Sequence, residues 1–259
     1  MTDTTASPAD ELLIRREGAV VEVTFNRPER MNAFSFAMYR GLHDLCDTLA
    51  ADDEVRVLVL RGAGGRAFAA GNQISDFLER DAVDYEGWLQ ELFVKIQGLP
   101  QVSIAVIDGV CVGGGLAVAT HCDVRVASPS ARFGYPIGRT LGNALSSGVL
   151  YRCASIFGEA LTREMLLTAR LIGADRAYAV GALAHVGEDL DAEVASIVAS
   201  VTSMSRVTIG QTKKQLGHLV STLEVAADGE EAELRAIYSG PDFREGVRAF
   251  MAKEKPRFG

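Results

Sequence analysis

Three consecutive glycines, Gly113-Gly114-Gly115, separate the apolar run Val102 to Ile107 and its Asp108-Gly109 turn from the small apolar stretch Leu116-Ala117-Val118-Ala119. A strand that passes through bare backbone into the first turn of a helix confines the chain to α/β architectures. It also leaves helix-terminal N–H groups without intrahelical partners. A second glycine-containing segment, Arg66-Ala67-Phe68-Ala69-Ala70-Gly71, precedes it. Two such loops can aim two backbone N–H groups at one oxygen, the arrangement that holds an enolate or a tetrahedral oxyanion.

The neighbouring pattern repeats strand, helix, strand. Alternation over Ala19 to Phe25, stopped by Asn26-Arg27-Pro28, predicts a strand. Ser35 caps the next helix, in which Phe36, Tyr39, Leu42, Leu45, Cys46 and Leu49 recur at helical spacing. Val55 to Leu60 reads as a strand buried on both faces. Ile74 to Gly98 is helical with a break near Asp81, and Asp123 to Ala127 is a further strand. Beyond Leu145 the pattern is helical almost to the end. The expected class is therefore α/β, with a loose tail over 1–10, a β/α core over 11–195 and a helical segment over 196–259.

Composition narrows the function. With 259 residues and 48% hydrophobic content the chain buries a large core. A net charge of −8 without a Lys/Arg cluster argues against nucleic acid or an anionic membrane as partner. No apolar run approaches the roughly 18 to 20 residues of a membrane span. The polar, acidic start lacks the order of a secretory signal, and Cys46, Cys111, Cys122 and Cys153 are scattered without paired spacing. Both point to a cytoplasmic protein with free thiols.

Several chemistries fail on spacing. Gly113 and Gly115 begin a dinucleotide fingerprint, but Val118 stands where the third glycine belongs, and neither a P-loop nor a G-x-S-x-G elbow occurs. His121-Cys122-Asp123 has no second His/Cys group at zinc spacing, so no metal is expected.

In order along the chain, Asn26 to Ala33, Ala67 to Ile74, Gly109 to Gly115, Cys122-Asp123, Ala131 to Gly134, Ile172 to Asp175 and Asp242 to Phe250 resemble the crotonase superfamily, the enoyl-CoA hydratase/isomerase family. The resemblance covers nearly the whole chain. It implies a crotonase-like β/α spiral core with C-terminal helices that build a homotrimer or a dimer of trimers. It implies an acyl-CoA ligand, with CoA part of the substrate and no separate cofactor. Matched motif to motif, the oxyanion hole falls on the backbone N–H groups of Ala70 and Gly114. Ala67, Ala69, Gln73, Ile74, Gly113, Ala117, Tyr135, Ile137 and Asn143 are the expected substrate-binding positions. Arg30, Arg66 and Lys253, or Lys255, would meet the CoA phosphates.

The chain departs from the family pattern at two places. Family hydratases carry glutamates where this sequence has Ala117 and Ile137, and neither side chain moves a proton. Standard two-carboxylate hydration is therefore not expected, leaving isomerisation, decarboxylation or thioester hydrolysis, or alternatively a non-catalytic acyl-CoA-binding homologue or partner subunit. Asn72 could reach an acyl carboxylate or carbonyl, and Arg139 could clamp a carboxylate or simply meet solvent or a local acid. Trp88, Phe77, Leu89, Leu92 and Phe93 are tunnel candidates. Asp84, Glu86 and Glu91 are candidate replacement acids, Glu91 first among them; Ser146 and Ser147 read mainly as helix caps.

Overall fold

The structure, a computed structural model, describes residues 4–6, 11–74, 82–223 and 229–258. Its larger sheet has seven strands: β1 (Thr4–Ala6), β2 (Leu12–Glu17), β3 (Val20–Phe25), β4 (Val57–Gly62), β6 (Val102–Ile107), β8 (Val124–Ala127) and β11 (His185–Val186), in that spatial order. The first three are antiparallel; from β3 onward the pairing is parallel. A second sheet of four strands stands against it, in the order β10 (Ile172–Gly173), β9 (Arg132–Gly134), β7 (Val110–Val112), β5 (Ala67–Ala70).

Helices follow the strands as parallel pairing requires. They are α1 (Phe36–Ala50), α2 (Ala82–Gly98), α3 (Gly114–His121), α4 (Ile137–Thr140), α5 (Ser147–Thr168, interrupted at Gly158), α6 (Ala174–Ala179), α7 (Leu190–Ser203), α8 (Arg206–Leu223), α9 (Glu230–Tyr238) and α10 (Pro241–Ala252). Ser35 caps α1 through a bond from the Met38 N–H at 3.2 Å. Strand β4 reads as an unbroken apolar run because both its faces are covered. Leu58 and Leu60 join the main core under α1 to α3, while Val57 and Val59 meet Leu190, Val194 and Val201 of α7. Each fully buried Val or Leu contributes roughly 1.5–3 kcal/mol, so the two apolar faces fix the sheet between its helical layers.

The structure departs from the sequence reading in places. Part of the expected tail is ordered, because Thr4–Ala6 pairs with β2. The segment Ala67–Ala70 is a strand rather than a loop, since its alanines fit the tight gap beside β7. The helix expected from Ile74 is described from Ala82. Asp76, Phe77 and Glu79 lie outside the described residues. Among those described, no helix is long and apolar enough to cross a membrane.

Candidate active site

Parallel pairing sets Ala70 of β5 beside Val112 of β7, so both strands end at one level. Each then turns through a glycine with positive φ, 89° at Gly71 and 55° at Gly113, a conformation that L side chains rarely adopt. The Gly71 carbonyl accepts from Phe34 N–H at 2.9 Å and Gln73 N–H donates to the Phe34 carbonyl at 2.7 Å. Those two bonds hold the chain on either side of Asn72 and turn the Asn72 N–H away from Phe34. Neither it nor the Gly114 N–H meets a backbone acceptor among the described residues. Gly114 opens α3, where the helix dipole favours negative charge.

The expected partner of Gly114 is corrected by this geometry. The Ala70 N–H donates to the Met31 carbonyl at 3.0 Å and is not available to a ligand. The free donor lies two residues on, at Asn72, because the turn at Gly71 reorients the chain between them. Contact between the two loops is close. A Cβ added to Gly113 would lie 3.2 Å from Gly71 Cα, and one added to Gly114 would lie 3.1 Å from Asn72 Cγ and overlap both Asn72 Oδ1 and the Tyr39 hydroxyl. The Tyr39 hydroxyl, on fully buried α1 packing, donates to Asn72 Oδ1 at 2.6 Å and fixes the carboxamide. No described group bonds Asn72 Nδ2.

These loops open on a cavity of about 370 Å³. Ile74, Gly113, Tyr135 and Asn143 line it; so do Ala117 and Ile137, one on α3 and one on α4. Leu89 and Phe93 contribute an apolar wall from α2, and exposed Arg30 also borders the space. Other expected residues lie elsewhere. Ala67 and Ala69 are buried within β5, because their backbones pair with β7. Gln73 Oε1 accepts from Arg27 at 2.7 Å and is held away from the cavity as a loop contact. Arg139 and Arg66 are exposed and border no part of the cavity, since each stands on the outer side of its short helical turn or loop. Lys253 is exposed at the end of α10. Trp88 packs on Phe36 and His43, with centroids 4.9 and 5.5 Å apart, and Leu92 lies in the core.

Among the described residues Glu86 is the one carboxylate on the cavity wall. Its Oε1 accepts from the Tyr238 hydroxyl at 2.6 Å, and that oxygen in turn accepts from Asn143 Nδ2 at 3.2 Å. Burial pushes the Glu86 carboxyl up to about 7, opposed by the Tyr238 hydrogen bond. Its side chain is half-buried between this cavity and α9, and partial withdrawal from bulk water is the larger of the two effects. Asp84 and Glu91 of the same helix face solvent instead. Helical spacing carries the distinction: Glu86, Leu89 and Phe93 fall on one face at i, i+3 and i+7.

His121 is structural. Its Nδ1 meets the Ala117 carbonyl at 2.7 Å, its ring stacks on Phe93 at 5.1 Å, and burial pushes its pKa down to about 3, keeping it neutral. No group of three His, Cys, Asp or Glu residues converges on a metal position among the described residues. Ser146 makes no side-chain cap at α5; the Glu230 carboxylate does so instead, bonding the Ser147 N–H and, at 2.8 Å, its hydroxyl.

The two sheets, the paired glycine turns and the buried α3 define a crotonase-type α/β fold. A solved methylmalonyl-CoA decarboxylase, in complex with 2-nitronate-propionyl-CoA, superposes with a TM-score of 0.87 at 26% identity, over 96% of this chain and 98% of that one. The 2,3-dehydroadipyl-CoA hydratase of Escherichia coli K12 is 32% identical over 254 residues, 96% of this chain and 98% of the relative. The 1,2-epoxyphenylacetyl-CoA isomerase of the same organism is 28% identical over 257 residues, 95% and 97% respectively. The sequence pattern of the enoyl-CoA hydratase/isomerase family matches residues 15–259, and the chain belongs to that family.

Proposed function

We propose that the chain binds an acyl-CoA thioester, receives its thioester oxygen between the N–H groups of Asn72 and Gly114, and stabilises the enolate formed there. The observation that carries this is the pair of unbonded amides on touching loops, open to an apolar cavity. Removing one such donor typically raises a barrier by about 3 kcal/mol. The names of the relatives, a hydratase, an isomerase and a decarboxylase of CoA thioesters, support the ligand class without selecting the reaction.

Ala117 and Ile137 on the cavity wall weigh against hydration by two carboxylates and favour isomerisation or decarboxylation through the enolate. Arg30 is the cation best situated for a CoA phosphate, as it is exposed and borders the cavity. The helical segment is read as the trimer-forming part, supported by exposed apolar side chains: Val207 (81%) and Leu216 (56%) on α8, and Met251 (57%) on α10. A monomer by light scattering would remove that part of the reading.

The test is calorimetric titration with butyryl-CoA, followed by proton NMR of the α-methylene in D2O. Binding tighter than free CoA, with α-proton exchange above the buffer rate, is expected. Binding without exchange would mark a catalytically silent acyl-CoA protein; no binding by folded protein would overturn the proposal.

A further inference from the structure

We infer that Glu86 is the proton-carrying group of this pocket and that Tyr238 and Asn143 position it, equipping the site for a 1,3-proton shift in a 3-enoyl-CoA thioester. The inference rests on the enolate reading above. Three observations lead to it. Glu86 is the one described carboxylate on the cavity wall that also carries the Asn72 and Gly114 amides. One of its oxygens is anchored by Tyr238 and the other has no described partner. The anchor is itself built: Tyr238 packs on Phe243 with centroids 4.9 Å apart and receives Asn143 Nδ2, while Asn143 Oδ1 is buried without a partner among the described residues.

A single carboxylate is matched to isomerisation for a chemical reason. Hydration asks for water and a proton on neighbouring carbons at once, whereas a 1,3-shift lets one group take a proton and return it. In the first step the α C–H bond breaks, an O–H bond forms on the Glu86 oxygen that has no described partner, and the electron pair passes into the thioester, giving a dienolate whose oxygen lies between the two amides. In the second, the dienolate pair forms a C–H bond at the γ-carbon with the Glu86 proton, the carboxylate is restored and the double bond stands between α and β. No co-reactant is consumed. A group with half-ionisation near neutrality, about 7 here, serves both steps.

The titratable groups around Glu86 do not compete for this role. The phenols of Tyr39 and Tyr238 are pushed well above their usual range by burial and remain protonated. Tyr85 adjoins it on α2, and Glu230, Glu231 and Arg235 of α9 border a second cavity on its other side. Glu230 is committed to the α5 terminus.

The experiment uses the full chain with trans-3-hexenoyl-CoA as probe, following formation of the 2-enoyl product, with butyryl-CoA exchange and calorimetric affinity measured alongside. Glu86→Gln is expected to lower turnover and exchange at least 100-fold with affinity within threefold of the parent. Tyr238→Phe removes the bond that favours the ionised Glu86 carboxylate, so the rising limb of the pH–rate profile moves upward by half a unit or more; a merely structural role would not move it. Glu86→Asp, which keeps the carboxylate, covers the case in which glutamine unfolds the protein, and should retain measurable turnover with an altered rate. Undiminished turnover in folded Glu86→Gln overturns the assignment while leaving the enolate reading intact. Loss of affinity with rate retained at saturation overturns it in favour of ligand recognition. A parent protein that binds but neither exchanges nor isomerises overturns both.

Discussion

Replacing Gly114 by alanine tests the two-amide site most directly, because one methyl group strikes both loops. The added carbon would stand 3.1 Å from Asn72 Cγ and overlap Asn72 Oδ1 and the Tyr39 hydroxyl. Tyr39 cannot retreat: it is fully buried, with its ring 4.6 Å from that of Phe34. Asn72 must therefore move, giving up the 2.6 Å bond from Tyr39 and shifting the N–H that pairs with Gly114. Overpacking of this kind costs about 1–3 kcal/mol, which lowers the melting temperature by about 3–10 °C in a domain of this size. Misplacing one oxyanion donor removes about 10²–10³ in rate. Gly138→Ala is the control, as no heavy atom lies within 4 Å of its added carbon. Thermal melts and butyryl-CoA α-proton exchange read the two effects separately. If Gly114→Ala melts with the parent and exchanges at its rate, the loops do not touch as described and the site falls with them.

Three other outcomes are expected. The Glu86 carboxyl is raised on folding, so its contribution to stability is complete below the unfolded value of 4.5 and is lost as pH climbs to about 7. Urea titrations should therefore show parent stability falling by roughly 2–3 kcal/mol relative to Glu86→Gln across that window; a constant difference contradicts the burial argument. Glu230→Ala, which uncaps α5, should lower stability by about 1–2 kcal/mol without abolishing butyryl-CoA binding. The double change Ala117→Glu with Ile137→Glu should introduce measurable hydration of crotonyl-CoA, both side chains facing the cavity; a folded, ligand-binding variant without it means the cavity is shaped for other chemistry.

The glycine run, the two-faced apolar strand at Val57 to Leu60 and the Ser35 cap settled the α/β class and several element types by themselves, because each acts through neighbours in sequence. Periodicity also held the information that Glu86 shares a face with Leu89 and Phe93, although not that this face borders the cavity. What the chain order left open was direction. Ala70 and Asn72 are equally good donors on paper, and only the tertiary structure spends one on Met31 and frees the other, because the turn at Gly71 and the Phe34 contacts reorient the backbone. Distance in sequence hid the rest: Glu86 and Tyr238 are brought to 2.6 Å across 152 positions, a meeting that packing of α9 against α2 creates and no local rule encodes.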